Sequence, residues 1–363
     1  MMMMSELPGE MVEEILCRVP ATSLKRLRST CKLWNRLFRD RIFTRKHFDK
    51  APKQSMMLRL FDSPVHLMSI NLRNLPRVEV TCRFSLLYQN QICRLFHCDG
   101  LLLCVLLCKA RLVVWNPCTG QTRLISWNEE YTAVTLGSYQ AKKSPNDNSY
   151  KILGYNGKGD RFGIYDINSN LWRILDVILD FEVVSIYRGV SLEGKTYWIA
   201  RDQKDLVSFD YTTERFERLC LPRQYPSYEK LSLSVVREEK LAVLLQHHRA
   251  EKTEIWVTSK ISEGKVVSWS KVLTVDLKPG VRHWECGSFL VDEKKKVLVF
   301  CDILERLSSV GEDNIVRNTY LGAGSGLQFL FNYVPSLTQI EKRKHQRQIE
   351  EKESIGDKRK RGE

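Results

Sequence analysis

The sequence predicts a multidomain α+β protein, in which an N-terminal all-α helical hairpin precedes an all-β, propeller-like domain. Apolar residues recur with helical spacing in the first fifty residues, and from about Val78 they recur in short strands separated by turn residues. The 363 residues, of which 43% are hydrophobic, suffice for two or three domains. We divide the chain into a helical domain at 5–53, a linker at 54–77, a propeller-like domain at 78–335 and a basic polar tail at 336–363, expected to be disordered.

Two helical segments are predicted in the first forty residues. Apolar residues with the spacing of one helix face are, in the first, Val12, Ile15, Leu16 and Val19, and in the second, Leu24, Leu27, Cys31, Trp34 and Phe38. Pro20 should separate the segments because it lacks an amide hydrogen, and Thr22 or Ser23 should cap the second helix. A hairpin of roughly 45 residues is too small to bury much apolar surface alone. Part of its apolar face should therefore contact a partner.

The hairpin contains the motifs LP at 7–8, EILCRVP at 14–20, SL at 23–24 and TCKLW at 30–34. In this order and spacing, these motifs resemble the F-box. The resemblance implies docking onto the Skp-type linker protein of an SCF-type cullin ubiquitin ligase. The residues predicted to form one apolar surface for that protein are Leu7, Pro8, Ile15, Leu16, Val19, Pro20, Leu24 and Trp34. The alternative is a hairpin that packs only against its own chain.

A strand pattern recurs at intervals typical of propeller blades. Each unit has a strand ending in an aromatic residue, a polar turn and a second strand, and the first aromatics are Trp115, Tyr165, Phe209 and Trp256. They are 50, 44 and 47 residues apart. A period in this range predicts a β-propeller with about four strands per repeat. The alternative is an unrelated all-β fold, because turns at regular intervals occur in every all-β protein.

The strand region contains the motifs HCDGLLLC at 97–104, VWNPCTG at 114–120, VSLEGKTYW at 190–198 and FLVD at 289–292. In this order behind the hairpin, they resemble the F-box-associated domain of plant F-box proteins, which is often described as kelch-like. The resemblance implies a non-catalytic substrate receptor whose propeller binds a target protein for ubiquitination. The chain lacks the Gly-Gly pairs of true kelch repeats, so the number of blades stays open.

Two further functions remain as alternatives. The stretch from Gly189 to Thr196 matches the P-loop pattern, which would make the protein a nucleotide-binding enzyme if a helix followed. The β-branched and aromatic residues from Thr196 onward instead predict a strand, and Leu192 to Lys195 a hairpin turn. Aromatic and basic neighbours such as Trp172-Arg173 could stack on RNA. We expect no cofactor and no metal site.

The net charge of +14 comes from 57 basic and 43 acidic residues. Residues 1–53 carry 12 basic and 6 acidic residues, residues 340–363 carry 9 and 6, and the rest of the excess is spread out. A spread excess is weak support for nucleic-acid binding. The tail holds the compact cluster Lys358, Arg359, Lys360 and Arg361, for which we predict nuclear import, with a solubilising charge run as the alternative.

The eleven cysteines are odd in number and form no Cys-x-x-Cys motif. The start at Met1–Met4 lacks the basic and apolar regions of a signal peptide. The longest apolar run, at 101–108, is too short to span a membrane. We therefore expect a reduced, soluble, intracellular protein in the nucleus, the cytoplasm or both.

Overall fold

The fold comes from a computed structural model of the chain. It describes residues 7–51, 57–59, 65–71, 77–84, 92–106, 111–126, 131, 133–140, 148–157, 161–177, 179, 189–200, 205–222, 228–247, 252–259, 261, 268–276, 289–301, 306–320 and 333–340.

Four short helices, rather than the two predicted, form the N-terminal domain. They are α1 Gly9–Leu16, α2 Ala21–Leu27, α3 Lys32–Leu37 and α4 Arg41–Lys50. The second predicted helix breaks after Leu27, where the hydroxyl of Thr30 donates to the Leu27 carbonyl at 2.7 Å and Cys31 is extended. Such local side-chain hydrogen bonds compete with the helical backbone pattern. The unpredicted α4 begins after Asp40, whose carboxylate accepts the Phe43 N–H at 3.0 Å.

The predicted cap of α2 was wrong. Pro20 occupies the N-cap position with extended backbone, and no side chain caps this helix. Proline fits there because its missing N–H removes no helical hydrogen bond. Since Ala21 is already helical, Thr22 and Ser23 lie inside the first turn instead of before it.

A three-stranded antiparallel sheet follows the helices. Its strands are β1 Met57–Arg59, β2 Val65–Asn71 and β3 Arg77–Phe84, paired in the order β1-β2-β3. Two of these strands lie within 54–77, which was predicted to be a linker, so this stretch is partly sheet. The third begins at Arg77, one residue before the predicted start of the propeller-like domain.

Five four-stranded antiparallel sheets follow within the described residues, and they are the blades of a five-bladed β-propeller. Blade 1 contains β4 Ile92–Cys98, β5 Leu101–Leu106, β6 Arg111–Asn116 and β7 Gln121–Ser126. Blade 2 contains β8 Ala133–Gln140, β9 Asn148–Asn156, β10 Arg161–Asp166 and β11 Leu171–Leu175. Blade 3 contains β12 Val190–Leu192, β13 Lys195–Ile199, β14 Asp205–Asp210 and β15 Arg215–Cys220. Blade 4 contains β16 Tyr228–Val236, β17 Lys240–His247, β18 Lys252–Thr258 and β19 Trp269–Asp276. Blade 5 contains β20 Phe289–Asp292, β21 Val297–Cys301, β22 Arg306–Gly311 and β23 Arg317–Tyr320. In every blade, strands that are consecutive in sequence are paired neighbours.

The four recurring aromatic residues occupy the same place in blades 1 to 4. Trp115, Tyr165, Phe209 and Trp256 lie on the third strands β6, β10, β14 and β18. Their cross-strand partners on the fourth strands are Thr122, Trp172, Phe216 and Lys271. The predicted repeat of aromatic strand, turn and second strand is therefore confirmed as the third and fourth strands of each of these blades.

The polar turn in this repeat also has a physical cause in blades 1 to 3. The side-chain oxygen of Asn116, Asp166 or Asp210 accepts the N–H groups two and three residues further on, at 2.7 to 3.2 Å. This Asx arrangement reverses the chain after the third strand without help from other blades. It explains why Asn or Asp recurs as the last residue of the third strand.

The apolar core lies between consecutive blades. Blades 1 and 2 share one cluster of buried side chains, and further clusters join blades 2 and 3, blades 3 and 4, and blades 4 and 5. All six residues of β5 are buried, as expected for a strand covered on both faces. Because each blade buries its faces against its neighbours, the domain depends on stacking rather than on any single sheet.

Residues 333–340, which we call the C-terminal segment, fasten the end of the chain to blade 1. The Nδ2 of Asn116 donates to the carbonyl of Ser336 at 3.1 Å and to that of Thr338 at 2.8 Å. The hydroxyl of Ser336 donates to the carbonyl of Asp99 at 2.8 Å, and Ile340 joins the cluster between blades 1 and 2. The tail predicted from residue 336 therefore begins too early, because Ser336, Leu337 and Ile340 are buried.

His97 supports the same contact. Its Nε2 accepts the N–H of Gly100 at 3.2 Å, and its ring packs edge-on against Tyr333 with 5.4 Å between centroids. Burial lowers the pKa of His97 to about 4. The ring is therefore neutral at pH 7, as its role as a hydrogen-bond acceptor requires.

Replacing Asn116 by Leu should loosen the C-terminal segment. The buried carbonyl of Ser336 and the partly buried carbonyl of Thr338 would lose the Asn116 donor, and the free energy of unfolding should fall by about 2 kcal/mol. Urea unfolding measures the loss, and hydrogen exchange should show faster exchange at 333–340. The matched control is Asn168→Leu in the equivalent turn of blade 2, an exposed residue whose amide donates to the hydroxyl of Ser149 within the same blade. Equal effects of the two changes would contradict the assignment.

Candidate partner-binding surface

One face of the helical domain packs against its own chain. A buried cluster unites Leu16, Cys17, Ala21, Leu24, Phe38 and Phe43 of the helices with Cys118 from blade 1 and Leu337 from the C-terminal segment. Two hydrogen bonds cross the same boundary: the thiol of Cys118 donates to the Ala21 carbonyl at 3.7 Å, and Nε2 of Gln339 donates to the Phe38 carbonyl at 3.4 Å. The helices are thus seated on the turn between β6 and β7.

Because of this contact with the propeller, the eight residues predicted to bind a partner differ in how exposed they are. Leu16 and Leu24 are fully buried in the cluster. Four others are half-buried: Leu7, Val19, Pro20 and Trp34. Pro8 is exposed, and Ile15 is 42% exposed. In the chain by itself, Leu16 and Leu24 thus contribute to the contact with the propeller, and binding of the linker protein by the eight residues stays a prediction.

Sequence reasoning missed three exposed apolar residues of the helical domain. Met11 is 56% exposed, Leu33 is 70% exposed and Ile42 is 60% exposed. Met11 lies one turn before Ile15 on α1, so the two side chains are neighbours on one face. The signal was present in the sequence, since α1 carries apolar residues beyond the single stripe that its own chain can bury.

Ion pairs and one buried histidine hold α4 beside α1. Lys46 Nζ lies 2.7 Å from Glu13 Oε1, and Lys50 Nζ lies 2.8 Å from Glu14 Oε2. The hydrogen bond from Lys50 is the main cause that lowers the pKa of Glu14. Nε2 of the buried His47 lies 2.8 Å from the Val19 carbonyl, and burial lowers the pKa of His47. These contacts fix the orientation of α1, and with it the direction in which Met11 and Ile15 project.

Comparison with known proteins identifies both domains. The F-box domain family matches residues 4–46, and the family described as F-box associated beta propeller domain matches residues 56–340. A probable F-box protein of Arabidopsis thaliana is 53% identical over 367 residues, with 93% of this chain and 88% of the relative covered. A putative F-box protein of the same species is 52% identical, with coverage of 93% and 99%, and an F-box/kelch-repeat protein is 43% identical, with coverage of 94% and 97%. The chain belongs to the plant F-box proteins with an F-box-associated β-propeller domain. Both resemblances drawn from the sequence are thereby confirmed.

In this F-box protein, the F-box motif contributes side chains to two different surfaces. Leu16 and Leu24 attach the F-box to the propeller, whereas Pro8 and Ile15 lie on its exposed side with Met11. Adjacent motif positions such as Ile15 and Leu16 differ in role because they are about 100° apart around α1. An apolar surface that the F-box protein leaves exposed can bind a partner by burial alone.

The stretch that matches a P-loop is a β-hairpin in the F-box protein. Strands β12 and β13 pair from Val190–Tyr197 to Leu192–Lys195, and Glu193 and Gly194 form the turn with φ of 49° and 74°. Positive φ at both turn residues is typical of the tight turn between two strands. A P-loop needs a helix after the glycine-rich turn, so the geometry that binds phosphate is not formed here.

Three other sequence expectations concern parts of the molecule outside this surface. Among the described residues, no group of three or more His, Cys, Asp or Glu side chains is arranged to hold a metal ion. None of the helices in the described ranges is long and apolar enough to cross a membrane. The basic cluster Lys358, Arg359, Lys360 and Arg361 lies outside the described residues.

Leu24→Ala and Ile15→Ala should lower the free energy of unfolding by different amounts, because Leu24 faces the propeller and Ile15 lies on the exposed side. Leu24 is fully buried, so its truncation leaves a cavity, and the free energy of unfolding of the F-box should fall by about 2–5 kcal/mol. Ile15 is 42% exposed, and its truncation should change stability by only about 0.5 kcal/mol. Denaturant titration of the full-length variants measures both. A larger loss for Ile15→Ala than for Leu24→Ala would show that the assignment of faces is reversed.

Proposed function

We propose that this F-box protein is the substrate-receptor subunit of an SCF-type cullin ubiquitin ligase. Its F-box binds a Skp-type linker protein, and its propeller binds a target protein for ubiquitination. The observation that supports this most directly is the exposed apolar group Met11, Ile15, Leu33 and Ile42. The buried cluster that joins this domain to the propeller does not include any of these four residues.

The proposed role needs no catalytic residue in this chain. A receptor bound at once to the ligase and to a target raises the effective concentration of the target's lysines at the ubiquitin-carrying enzyme. The hairpin geometry of residues 189–196 agrees with such a role and gives no support to nucleotide chemistry.

The position of the F-box favours one end of the propeller for the target. In an antiparallel blade, the turns between strands 1 and 2 and between strands 3 and 4 lie at the same end. The F-box and the C-terminal segment occupy that end of blade 1, at Cys118 and Gly100. We place the target at the other end, where strands such as β10 and β14 begin. Crosslinks from a bound target to Arg161 or Asp205 would support this placement, and crosslinks confined to the turn at 116–120 would contradict it.

Charge substitution on α1 should remove linker binding. Met11→Asp with Ile15→Asp in the full-length protein places two carboxylates where we expect apolar contact. Central apolar anchors contribute about 2 kcal/mol or more each when truncated, so co-purification with the linker protein should be lost.

The matched control is Leu171→Asp with Ile174→Asp, because these residues are equally apolar and are 68% and 69% exposed on β11 of blade 2. This control should retain binding. Undiminished recovery of the linker by the α1 variant, with both proteins folded, would refute the assignment of the α1 surface.

Nuclear import through the tail is a separate proposal. The four consecutive basic residues 358–361 form a compact cluster of the kind that import receptors recognise. A fluorescent fusion in which all four are replaced by Gln should lose nuclear enrichment. An unchanged distribution would reject import and leave solubility as the role of the cluster.

A further inference from the structure

The outermost strand of blade 2 exposes two large aliphatic side chains. Leu171 is 68% exposed and Ile174 is 69% exposed, and both lie on β11. Among the described strands, β11 pairs only with β10 and is the terminal strand of its sheet. The outer side of a terminal strand presents backbone N–H and C=O groups that can pair with another chain. Thus β11 combines exposed apolar side chains with main-chain groups suited to a further strand.

The outermost strands of blades 1, 3 and 4 are protected by polar and charged side chains. The exposed residue of β7 is Ser126, and those of β19 are Ser270, Lys271, Thr274 and Asp276. Three of the four exposed residues of β15 are charged, namely Arg215, Glu217 and Arg218. Such side chains discourage pairing with a further strand. In contrast, only one of the three exposed residues of β11, Arg173, is charged.

Packing within the propeller uses other residues of β11. Trp172 packs against the apolar cluster between blades 1 and 2, and Leu175 belongs to the cluster between blades 2 and 3. Neither cluster includes Leu171 or Ile174. Exposed aliphatic side chains on a sheet edge promote aggregation, so they carry a cost that the fold does not require. This favours a binding role for the two residues over a structural one.

The two aliphatic side chains lie on opposite faces of β11, because successive side chains of a strand alternate. Leu171 shares the face toward blade 3 with Arg173, which pairs with Glu214 of that blade. Ile174 shares the face toward blade 1 with Trp172, whose indole N–H donates to a carbonyl of that blade at 3.1 Å. Each face therefore offers one exposed aliphatic side chain. A strand added beside β11 would place its own side chains next to both.

The charge at the middle of β11 is positive. Arg173 binds the carboxylate of Glu214, which also accepts from Nζ of the buried Lys151 at 2.7 Å. Two cations thus share one carboxylate, and the side chain of Arg173 is still 53% exposed. On an added strand, a residue directly opposite Arg173 would be favoured if acidic and disfavoured if basic. Antiparallel pairing of all five residues with β11 of a second copy would set two Arg173 side chains opposite each other, so charge disfavours a homodimer.

We propose that β11 binds an extended segment of the target protein as a fifth strand of blade 2, with an acidic residue opposite Arg173 and apolar residues beside Leu171 and Ile174. This inference rests on the proposed function and specifies the class of target segment. Main-chain hydrogen bonds supply the affinity of an added strand, and alternate side chains supply its specificity. Since Leu175 is paired with Phe162, β11 ends where β10 begins, at the end of the propeller assigned above to the target.

Selection of peptides on the full-length protein tests the inference. A phage library of random linear heptapeptides is selected on the wild type, and fluorescence polarisation measures the affinity of the enriched peptides. These should alternate in apolar residues and carry Asp or Glu at one fixed position. Arg173→Glu, and separately Leu171→Asp with Ile174→Asp, should weaken their binding by about fivefold or more. A peptide with Lys in place of its acidic residue should bind the Arg173→Glu variant more tightly than the wild type.

The matched control is Arg215→Glu, the same charge reversal at an exposed residue of β15, the outermost strand of blade 3. It should leave peptide affinity unchanged. Hydrogen exchange locates the site directly: a bound peptide should slow exchange at 171–175 and leave 215–220 as before. Circular dichroism and thermal melting check that each variant is folded. If Arg173→Glu is unfolded, Arg173→Gln replaces it and should give a smaller loss of affinity in the same direction.

The outcomes distinguish failure of the inference from failure of the proposed function. If the wild type does not recover the linker protein in co-purification, the proposed function fails. If it recovers the linker protein but no peptide is enriched, or the enriched peptides bind the Arg173→Glu variant as tightly as the wild type, only the inference fails. A dimer of the wild type, detected by light scattering and abolished by Leu171→Asp with Ile174→Asp, would assign β11 to a second copy and overturn the inference.

Discussion

The buried amide of Asn116 is the contact on which the relative placement of the two domains depends. Its Nδ2 donates to two carbonyls of the C-terminal segment, and its Oδ1 accepts the N–H groups of Cys118 and Thr119. All four hydrogen-bonding positions of the side chain are used. The same residue therefore closes the turn of blade 1, anchors the end of the chain and sets the position of Cys118, which touches the F-box at Ala21.

Gly100 imposes a second constraint where blade 1 contacts the C-terminal segment. Its φ is +75°, and a Cβ there would lie 2.5 Å from the hydroxyl oxygen of Ser336 and 2.6 Å from the carbonyl oxygen of Val334. Glycine is thus required both by the turn and by the close passage of the C-terminal segment. Together with Asn116, it explains why the motifs around residues 97–104 and 114–120 carry glycine and asparagine beside their buried apolar strand residues.

The features that could be predicted from the sequence are those that arise from residues close together in the chain. The third-strand aromatics and the Asn or Asp after them could be read from the sequence because the strand and its Asx turn lie within a few residues. The fastening of residues 333–340 to blade 1 joins positions about 220 residues apart, and no local pattern marks it. The same limit applies to the F-box motif: it contains both Ile15 and Leu16, and only the docked propeller decides that Leu16 faces inward. The sequence did not predict the break between α2 and α3, because apolar residues with helical spacing continue through Cys31. The helical backbone nevertheless ends there, where the hydroxyl of Thr30 donates to the Leu27 carbonyl.

The contact between the F-box and the propeller bears on the effective concentration of a target bound to the proposed receptor. A flexible connection between two binding modules spreads the second site over a large volume, so the effective concentration of a bound target falls steeply with the length of the connection. Here the F-box contacts the propeller through Leu337, Gln339 and Cys118, which lie far from it in sequence. Packed side chains and hydrogen bonds therefore hold the two modules together at this contact. Under the proposed function, a target bound to the propeller would keep one orientation relative to the exposed residues of α1, and geometry would select the lysines within reach.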